Sequence, residues 1–242
     1  MPITSSNAYG WLMLAGIITS ILVWSRLARS DARLAPLYIA ALASAFLGAK
    51  LVYLAAEGWQ YWQAPDRWVI FATGKSITGA LLGGYLGVEV AKRFLKYPGI
   101  TGDRFAVIAP LGISCGRIGC MLHGCCLGMK CDASWFTVTD DSGVARWPAS
   151  QLELAFNLAA LGMVLILQWK RLAVGQRFHL YLIAYGLFRF GHEFLRDTPR
   201  LVGPFSGYHL AAAAVAALGM FGYWQRRQRF IHSAPQTPPA AP

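Results

Sequence analysis

Charged residues are scarce in this chain, and acidic residues are the scarcest. Of the 242 residues, 14% are charged, with 11 acidic against 22 basic side chains, whereas 56% are hydrophobic. A soluble globular domain carries about 25% charged residues. The composition therefore excludes an ordinary soluble domain and indicates a protein that buries much of its surface in lipid.

The N-terminus also lacks a basic segment. No Lys or Arg precedes the first apolar stretch of the sequence. A secretory signal peptide, by contrast, begins with a positively charged region. We therefore expect the first stretch to remain in the protein as a membrane helix, with the N-terminus outside.

Seven stretches approach the roughly 20 apolar residues that are needed to cross a bilayer. Because lipid offers no partner to bare backbone groups, each stretch should be a helix. They cover residues 9–28, 35–56, 76–94, 105–120, 151–169, 177–195 and 205–224. The sequence predicts an all-α, polytopic membrane protein with about seven transmembrane helices and a small outer cap in the loop 121–150. We expect one domain over residues 1–232 and a disordered, Pro/Ala-rich tail over 233–242.

The net charge of +11 comes from basic residues that alternate between loops. The loops after the first, third, fifth and seventh stretches hold about twice as many Lys and Arg as the other loops, a bias that marks the cytoplasmic side. We therefore predict a multi-pass protein of the bacterial inner membrane, with its N-terminus outside and its C-terminus in the cytoplasm. The basic charge then reports topology, and we expect no nucleic-acid partner.

Once the basic residues in the loops and at the stretch ends are counted, three remain within the apolar stretches: Lys50, Arg117 and Arg189. A charge at membrane depth is costly and indicates a functional site by default. Tyr185, Arg189 and Glu193 recur every four residues, so they share one helical face that should point inward. Since a guanidinium matches phosphate oxygens, Arg117 and Arg189 predict a lipid-phosphate site. The alternatives are a self-neutralising Arg189–Glu193 pair and, for Lys50, a side chain that snorkels to the interface.

Small residues recur at every fourth position in the third stretch. Gly79, Gly83 and Gly87 follow the spacing that is typical of closely packed membrane helices. Ser76 and Thr78 lie where this helix should begin. Their hydroxyls, at a helix N-terminus, suit a phosphate.

Five cysteines lie close together in the sequence: Cys115, Cys120, Cys125, Cys126 and Cys131. Their spacing does not match the usual C-x₂-C pair of a metal site, so we predict no metal and no other cofactor. A disulfide of Cys120 or Cys125 with Cys131, a catalytic thiol and simple packing all remain open. His123 lies between the cysteines, and histidine is a residue type that suits a general base at neutral pH.

Several of these segments resemble the bacterial prolipoprotein diacylglyceryl transferase family. Residues 116–128, GRIGCMLHGCCLG, resemble the family signature G-R-x-G-N-F-x-N-x-E-x-x-G. Residues 185–196 resemble the family pattern Y-G-x-x-R-x-x-x-E-x-x-R. Residues 74–83 are similar to the family's glycine-rich segment, and residues 48–51 are similar to its G-A-R-L segment. The resemblance covers most of the chain.

The resemblance implies an enzyme that transfers a diacylglyceryl group from phosphatidylglycerol to the lipobox cysteine of a prolipoprotein. A thioether forms and glycerol phosphate leaves, so the partners are membrane lipid and the lipobox peptide. Together with the arguments above, it predicts these catalytic residues: Arg117, Arg189, Tyr185, Glu193 and His123. It also predicts these substrate-binding residues: Ser76, Thr78, Gly79, Lys50, Gly116, Gly119, Cys120, Cys125 and Gly128.

The chain departs from the family pattern at three polar positions. The family histidine falls at Thr78, the signature asparagine at Cys120 and the signature glutamate at Cys125. His123 is therefore the predicted replacement base, and the chain is identified as a divergent member with a Gly-Cys-Cys segment. Two alternative interpretations are a related transferase with another acceptor and a thiol-redox or metal-binding membrane protein on the same scaffold.

Overall fold

Helices make up most of the computed structural model. The structure describes residues 14, 16, 18, 19, 21, 22, 24–26, 29 and 31–233. Its elements from residue 34 onward are α1 (Leu34–Ala56), a 3₁₀ helix (Gly58–Tyr61), α2 (Arg67–Thr73), α3 (Ile77–Phe94), α4 (Gly102–His123), β1 (Val138–Thr139), β2 (Ala145–Arg146), α5 (Ala149–Trp169), α6 (Arg177–Glu193), β3 (Arg200–Val202), β4 (Phe205–Ser206) and α7 (Gly207–Ser233). Much of the first predicted stretch and nearly all of the predicted tail lie outside the described residues.

Three helices of the described chain, α1, α4 and α5, are long and apolar enough to cross a membrane. Helices α2 and α3 would form a fourth span together, bent by 56° at the break between them. Helix α6 has 17 residues, and neither it nor α7 meets the same criterion within the described residues. The helical class therefore agrees with the prediction, and the described helices provide candidates for three or four of the seven predicted spans.

Apolar side chains cover the outer face of α1. Ile39, Phe46 and Leu51 are 66%, 60% and 58% exposed. Contiguous exposed apolar surface of this kind is rare on soluble monomers. This face of α1 suits the hydrocarbon interior of a bilayer.

Glycines bring α1 and α3 into backbone contact. A Cβ atom added to Gly79 would lie 2.3 Å from the carbonyl oxygen of Gly48, and one added to Gly83 would lie 2.2 Å from the carbonyl oxygen of Ser44. Only glycine leaves room for such a close approach. The packing role predicted from the four-residue spacing is therefore confirmed at Gly79 and Gly83.

Lys50 stabilises the break between α2 and α3. Its Nζ atom donates hydrogen bonds to the carbonyl oxygens of Phe71, Ala72 and Gly74 at 2.7, 2.5 and 2.8 Å. These carbonyls lie at the end of α2, where the helix leaves its last acceptors without intrahelical partners. The lysine thereby ties α1 to the start of the bent pair.

Three chain segments meet next to the ends of α4 and α6. The backbone N–H of Gly128 donates to Trp147 at 2.9 Å, and that of Met129 donates to Leu195 at 3.0 Å. A Cβ atom on Gly128 would lie 2.6 Å from the Cβ of Trp147, so only glycine fits. These contacts hold Arg196, which follows Leu195, over the ends of the helices.

Candidate active site

Five charged side chains lie together where α4, α5 and α6 meet, and we call them the charge cluster: Arg117, Glu153, Arg189, Glu193 and Arg196. Nη2 of Arg117 is 2.7 Å from Oε2 of Glu153. Nη1 of Arg189 is 2.5 Å from Oε2 of Glu193, one helical turn along α6. Both carboxylates are completely buried. The first ion pair therefore links α4 to α5, the second lies within α6, and both are shielded from solvent.

Hydroxyl groups bind the second oxygen of each carboxylate. Tyr185 donates its hydroxyl to Oε1 of Glu153 at 2.8 Å. Thr198 and Ser206 donate to Oε1 of Glu193 at 2.5 and 3.0 Å. Each carboxylate thus faces hydroxyls with one oxygen and guanidinium groups with the other, which fixes the direction in which the arginines point.

Arg196 gives the cluster a surplus of positive charge. Its guanidinium lies 3.8 Å from Glu153 and 3.7 Å from Glu193, too far for a hydrogen bond to either carboxylate. Its Nε and Nη1 atoms are buried and have no hydrogen-bond partner in the described part of the chain. Burial lowers the pKa of Arg196, and the nearby Arg189 and Arg117 lower it further. Three guanidiniums against two carboxylates favour an added anion at this place.

Aromatic and amide side chains form a dry frame around Glu153. Tyr181 donates its hydroxyl to Oδ1 of Asn157, and the Asn157 amide donates to the backbone carbonyl of Glu153, each at 2.8 Å. Phe156 of α5 and Phe188 of α6 stack with ring centroids 4.2 Å apart. Glu153 is fully buried beside these side chains, and low exposure to solvent strengthens its electrostatic interactions.

The structure brings together four of the five predicted catalytic residues. Arg117, Tyr185, Arg189 and Glu193 are at most 6% exposed and are linked through the charge cluster. The inward face predicted for α6 is therefore present. The predicted Arg189–Glu193 pair forms too, as one part of a larger network. The fifth residue, His123, lies exposed in the last turn of α4.

Sequence reasoning missed two members of the charge cluster. Arg196 lies beyond the end of α6, where a solvated loop charge is the ordinary expectation, but its side chain is only 13% exposed and lies among buried charges. Glu153 was missed because only basic residues were traced through the apolar stretches. An acidic residue inside the stretch 151–169 is also a costly charge at membrane depth, and it likewise indicates a functional site.

His192 is a further buried polar group next to the cluster. Both of its ring nitrogens are buried without a hydrogen-bond partner among the described residues. Its ring stacks on Phe188, with centroids 5.1 Å apart. A buried polar group without a partner is uncommon, so His192 is a candidate for contact with a ligand.

The predicted substrate-binding residues at the start of α3 form contacts of their own. Ser76 caps this helix, accepting a hydrogen bond from the Gly79 N–H at 3.2 Å, and its hydroxyl lies 2.8 Å from that of Thr78. Lys50 donates to the three carbonyls at the end of α2. These hydrogen bonds stabilise the break between α2 and α3 and the start of α3. None of these residues belongs to the charge cluster.

The predicted glycines flank the cluster. Gly116 and Gly119 lie on α4 on either side of Arg117, with Gly119 buried. Gly128 allows the close approach of the segment that carries Arg196. Their shared property is the absence of a side chain beside an arginine.

The cysteines provide a second group of reactive side chains, and we call Cys120, Cys125 and Cys126 the thiol cluster. Their three Sγ atoms lie within 4.8 Å of one another. Nη1 of Arg117 is 3.9 Å from Sγ of Cys120, so the thiol cluster adjoins the charge cluster. All five cysteines are free thiols, and neither proposed disulfide to Cys131 is formed in this structure.

Comparison with known proteins places the sequence among lipoprotein-modifying enzymes. The pattern of the prolipoprotein diacylglyceryl transferase family matches residues 2–225. A phosphatidylglycerol–prolipoprotein diacylglyceryl transferase of Gloeobacter violaceus is 31% identical over 240 residues, which cover 91% of this chain and 88% of the relative. The second such transferase of Clostridium perfringens is 30% identical over 207 residues, 80% of each chain. That of Symbiobacterium thermophilum is 29% identical over 229 residues, 88% of this chain and 85% of the relative.

Proposed function

Because the chain belongs to the prolipoprotein diacylglyceryl transferase family, a family of membrane transferases, we propose that it acts on phosphatidylglycerol and a prolipoprotein. The diacylglyceryl group moves to the thiol of the lipobox cysteine, a thioether forms and glycerol phosphate leaves. The observation that carries the proposal is the surplus positive charge of the buried charge cluster. This surplus matches the single negative charge of a phosphodiester.

Arg117, Arg189 and Arg196 bind the phosphate in this proposal. A guanidinium presents two parallel N–H groups to two phosphate oxygens. The Arg196 atoms that lack a hydrogen-bond partner supply donors that are not committed to the carboxylates. The phosphodiester thus satisfies buried donors and cancels the surplus charge in one step.

The reaction is a displacement at carbon. The acceptor sulfur forms a bond to the glycerol carbon that carries the phosphate ester, and the bond from that carbon to the ester oxygen breaks. The electron pair leaves with glycerol phosphate, whose growing negative charge the guanidiniums stabilise. Tyr185 holds Glu153 in place, and Glu193 holds Arg189. His123 takes the thiol proton.

The proposed membrane arrangement follows from the same family and from the loop charges. Seven helices cross the membrane within one domain of residues 1–232, with the N-terminus outside and the C-terminus in the cytoplasm. The β1–β2 hairpin and the segment 194–206 form a small outer cap over the charge cluster. Gly128, Ser76, Thr78, Gly79 and Lys50 shape the path by which lipid and peptide reach the arginines.

The test uses the purified protein in phosphatidylglycerol vesicles with a synthetic lipobox peptide. Mass spectrometry should show the peptide gaining one diacylglyceryl group, and an equal amount of glycerol phosphate should appear. Arg117→Ala and Arg189→Ala should each lower the rate about ten- to a hundredfold, since a charge-assisted hydrogen bond is worth roughly 1.5–3 kcal/mol. Lys50→Ala should lower it less, because its hydrogen bonds stabilise the α2–α3 break.

Arg177→Ala is the matched control. Arg177 is also a buried arginine with a carboxylate partner, Asp103 at 3.1 Å, but it lies 12 residues, or about 18 Å, along α6 from Arg189. Arg117→Lys tests the fork geometry in a variant that keeps the charge. Phosphatidylglycerol cleavage without peptide modification would point to another acceptor. No cleavage at all, or a greater loss in Lys50→Ala than in both cluster variants, would contradict the proposed phosphate site.

A further inference from the structure

The backbone after α4 folds back on itself and gathers three sulfur atoms. Gly124 ends the helix in the left-handed region at φ 67°, and Cys126 is left-handed too, at φ 61°. Left-handed backbone is uncommon for a residue other than glycine. The Cys125 N–H donates to the Cys120 carbonyl at 3.1 Å, which closes the turn. As a result, residues five and six positions after Cys120 return to its side chain.

The geometry of the thiol cluster suits a metal ion. In tetrahedral thiolate coordination, metal–sulfur distances of about 2.3 Å place the sulfurs about 3.8 Å apart. The three Sγ atoms lie within 4.8 Å of one another, so small rotations of the side chains suffice to reach that arrangement. Sulfur ligands select soft ions such as Zn²⁺ and Cu⁺. The sequence lacks a C-x₂-C pair, but the turn after α4 brings the three sulfurs together instead.

We propose that Cys120, Cys125 and Cys126 bind a thiophilic d¹⁰ metal ion, Zn²⁺ or Cu⁺, whose open coordination position takes the thiol of the acceptor. Three protein ligands and one open position are the arrangement of a catalytic metal site, whereas structural zinc sites are closed by four protein ligands. The role of the open position rests on the proposed function. The binding of the ion does not.

The charge cluster favours this site electrostatically. Three thiolates around a divalent or monovalent cation carry a net negative charge. Arg117 lies 3.9 Å from the Cys120 sulfur, so a guanidinium adjoins these thiolates. An anionic metal centre at this position is therefore next to compensating positive charge.

The metal site would also supply a step that the transfer reaction requires, the deprotonation of the acceptor thiol. Thr78 stands where the family has a histidine, and a thiol bound to a metal is deprotonated. The acceptor thiol would coordinate the ion as a thiolate and release its proton to solvent. Its lone pair forms the carbon–sulfur bond as the carbon–oxygen bond to phosphate breaks, and the electron pair leaves with glycerol phosphate. The neutral thioether product is a weaker ligand than a thiolate, so it leaves the ion.

The first experiment measures metal content. The full chain, purified without oxygen and loaded with Zn²⁺ or with Cu⁺ under reducing conditions, should retain about one equivalent of metal after desalting. Cys120→Ser, Cys125→Ser and Cys126→Ser should each lower retention at least about tenfold, because a ligand is lost. Cys115→Ser and Cys131→Ser are matched controls outside the thiol cluster and should retain the ion. Retention of neither metal, or equal losses in the controls, overturns the site.

The second experiment follows the open position by spectroscopy. Co²⁺ loaded in place of Zn²⁺ should show thiolate-to-cobalt absorption that grows when a lipobox peptide is added. A peptide with serine in place of the lipobox cysteine should leave the absorption unchanged. An identical response to both peptides overturns the role of the open position while leaving metal binding intact.

The two proposals fail separately. A protein that retains metal through the thiol cluster but never modifies a peptide contradicts the proposed function and leaves the metal site standing. A Cys125→Ser variant that has lost the ion but modifies the peptide at an undiminished rate contradicts the role of the open position and leaves the transferase function standing. An unchanged chain that modifies the peptide but retains no metal contradicts the metal site.

Discussion

Among single residues, Tyr185 and Tyr181 form an informative pair on α6. Both rings are buried, and both hydroxyls donate at 2.8 Å to side chains of α5. Their partners differ in function. Tyr181 binds the amide of Asn157, whereas Tyr185 binds Glu153, which also contacts Arg117. Removing the hydroxyl oxygen of Tyr181 or that of Tyr185 therefore separates a structural role from a catalytic one.

Tyr185→Phe and Tyr181→Phe should have similar effects on stability and different effects on activity. Each leaves one buried acceptor without its donor, which costs about 1–3 kcal/mol of unfolding free energy. Tyr185→Phe should in addition lower phosphatidylglycerol cleavage, because Glu153 loses the contact that directs Arg117. Thermal unfolding in detergent and the vesicle assay measure the two effects. Equal activities in the two variants would contradict a catalytic role for Tyr185.

At the scale of elements, the α1–α3 contact depends on the absence of side chains. Gly79→Ala should destabilise the protein by about 1–3 kcal/mol, because its Cβ would lie 2.3 Å from the Gly48 carbonyl oxygen. Gly162→Ala on α5 is the matched control. No atom lies within 4 Å of a Cβ at this position, and alanine favours a helix by up to about 1 kcal/mol over glycine. Melting temperatures should thus fall in the first variant and not in the second.

The β1–β2 hairpin depends on one carboxylate. Asp140 accepts hydrogen bonds from the backbone of Ser142 and Val144 at 3.0 and 2.9 Å and from the Arg146 side chain at 2.9 Å. The backbone hydrogen bond from Val144 and the bond from Arg146 lower the pKa of Asp140 below its ordinary value of 3.8. The ionised carboxylate therefore stabilises the hairpin more than the protonated carboxyl does.

Asp140→Asn should lower the melting temperature at neutral pH, and the difference from the unchanged protein should shrink in acid. The lowered pKa means that the stabilisation is fully present above pH 3.8 and is lost as the pH falls through the folded-state pKa. Asp141→Asn, at an exposed neighbouring position, is the control. A difference that stays constant with pH would show that ionisation of Asp140 does not support the hairpin.

At the scale of the whole molecule, the charged groups lie at two opposite ends of the helices. The charge cluster joins the C-terminal ends of α4 and α6 to the start of α5. The Arg177–Asp103 pair joins the N-terminal ends of α6 and α4. Along α6, about 18 Å of helix separates Arg177 from Arg189. In the proposed topology, the charge cluster faces outward and Arg177 faces the cytoplasm.

Fusion reporters test this orientation. Green fluorescent protein attached after residue 233 should fluoresce, and alkaline phosphatase at the same place should be inactive, since the C-terminus is proposed to be cytoplasmic. Alkaline phosphatase inserted at Ser142, between β1 and β2, should be active. The reverse pattern at both places would invert the proposed topology and with it the position of the charge cluster.

Part of the site was predictable because a charge in an apolar stretch stands out in the sequence. Arg117, Arg189 and Glu193 were found in this way or by their four-residue spacing. Glu153 and Arg196 were not, although both are buried in the same cluster. Arg196 lies just beyond the end of α6, where the sequence cannot distinguish a solvated loop from a segment folded back by Gly128 and Met129.

By itself, the sequence determined the helical membrane class, the family and the identity of the chemical groups, since these follow from composition, local periodicity and motif order. Only the tertiary structure decided which groups meet. Contacts between α4, α5 and α6 depend on side-chain packing across residues far apart in the chain, as in the pairing of Arg117 with Glu153. The thiol cluster likewise depends on a left-handed turn at Gly124, which brings together sulfurs whose spacing alone argued against a metal site.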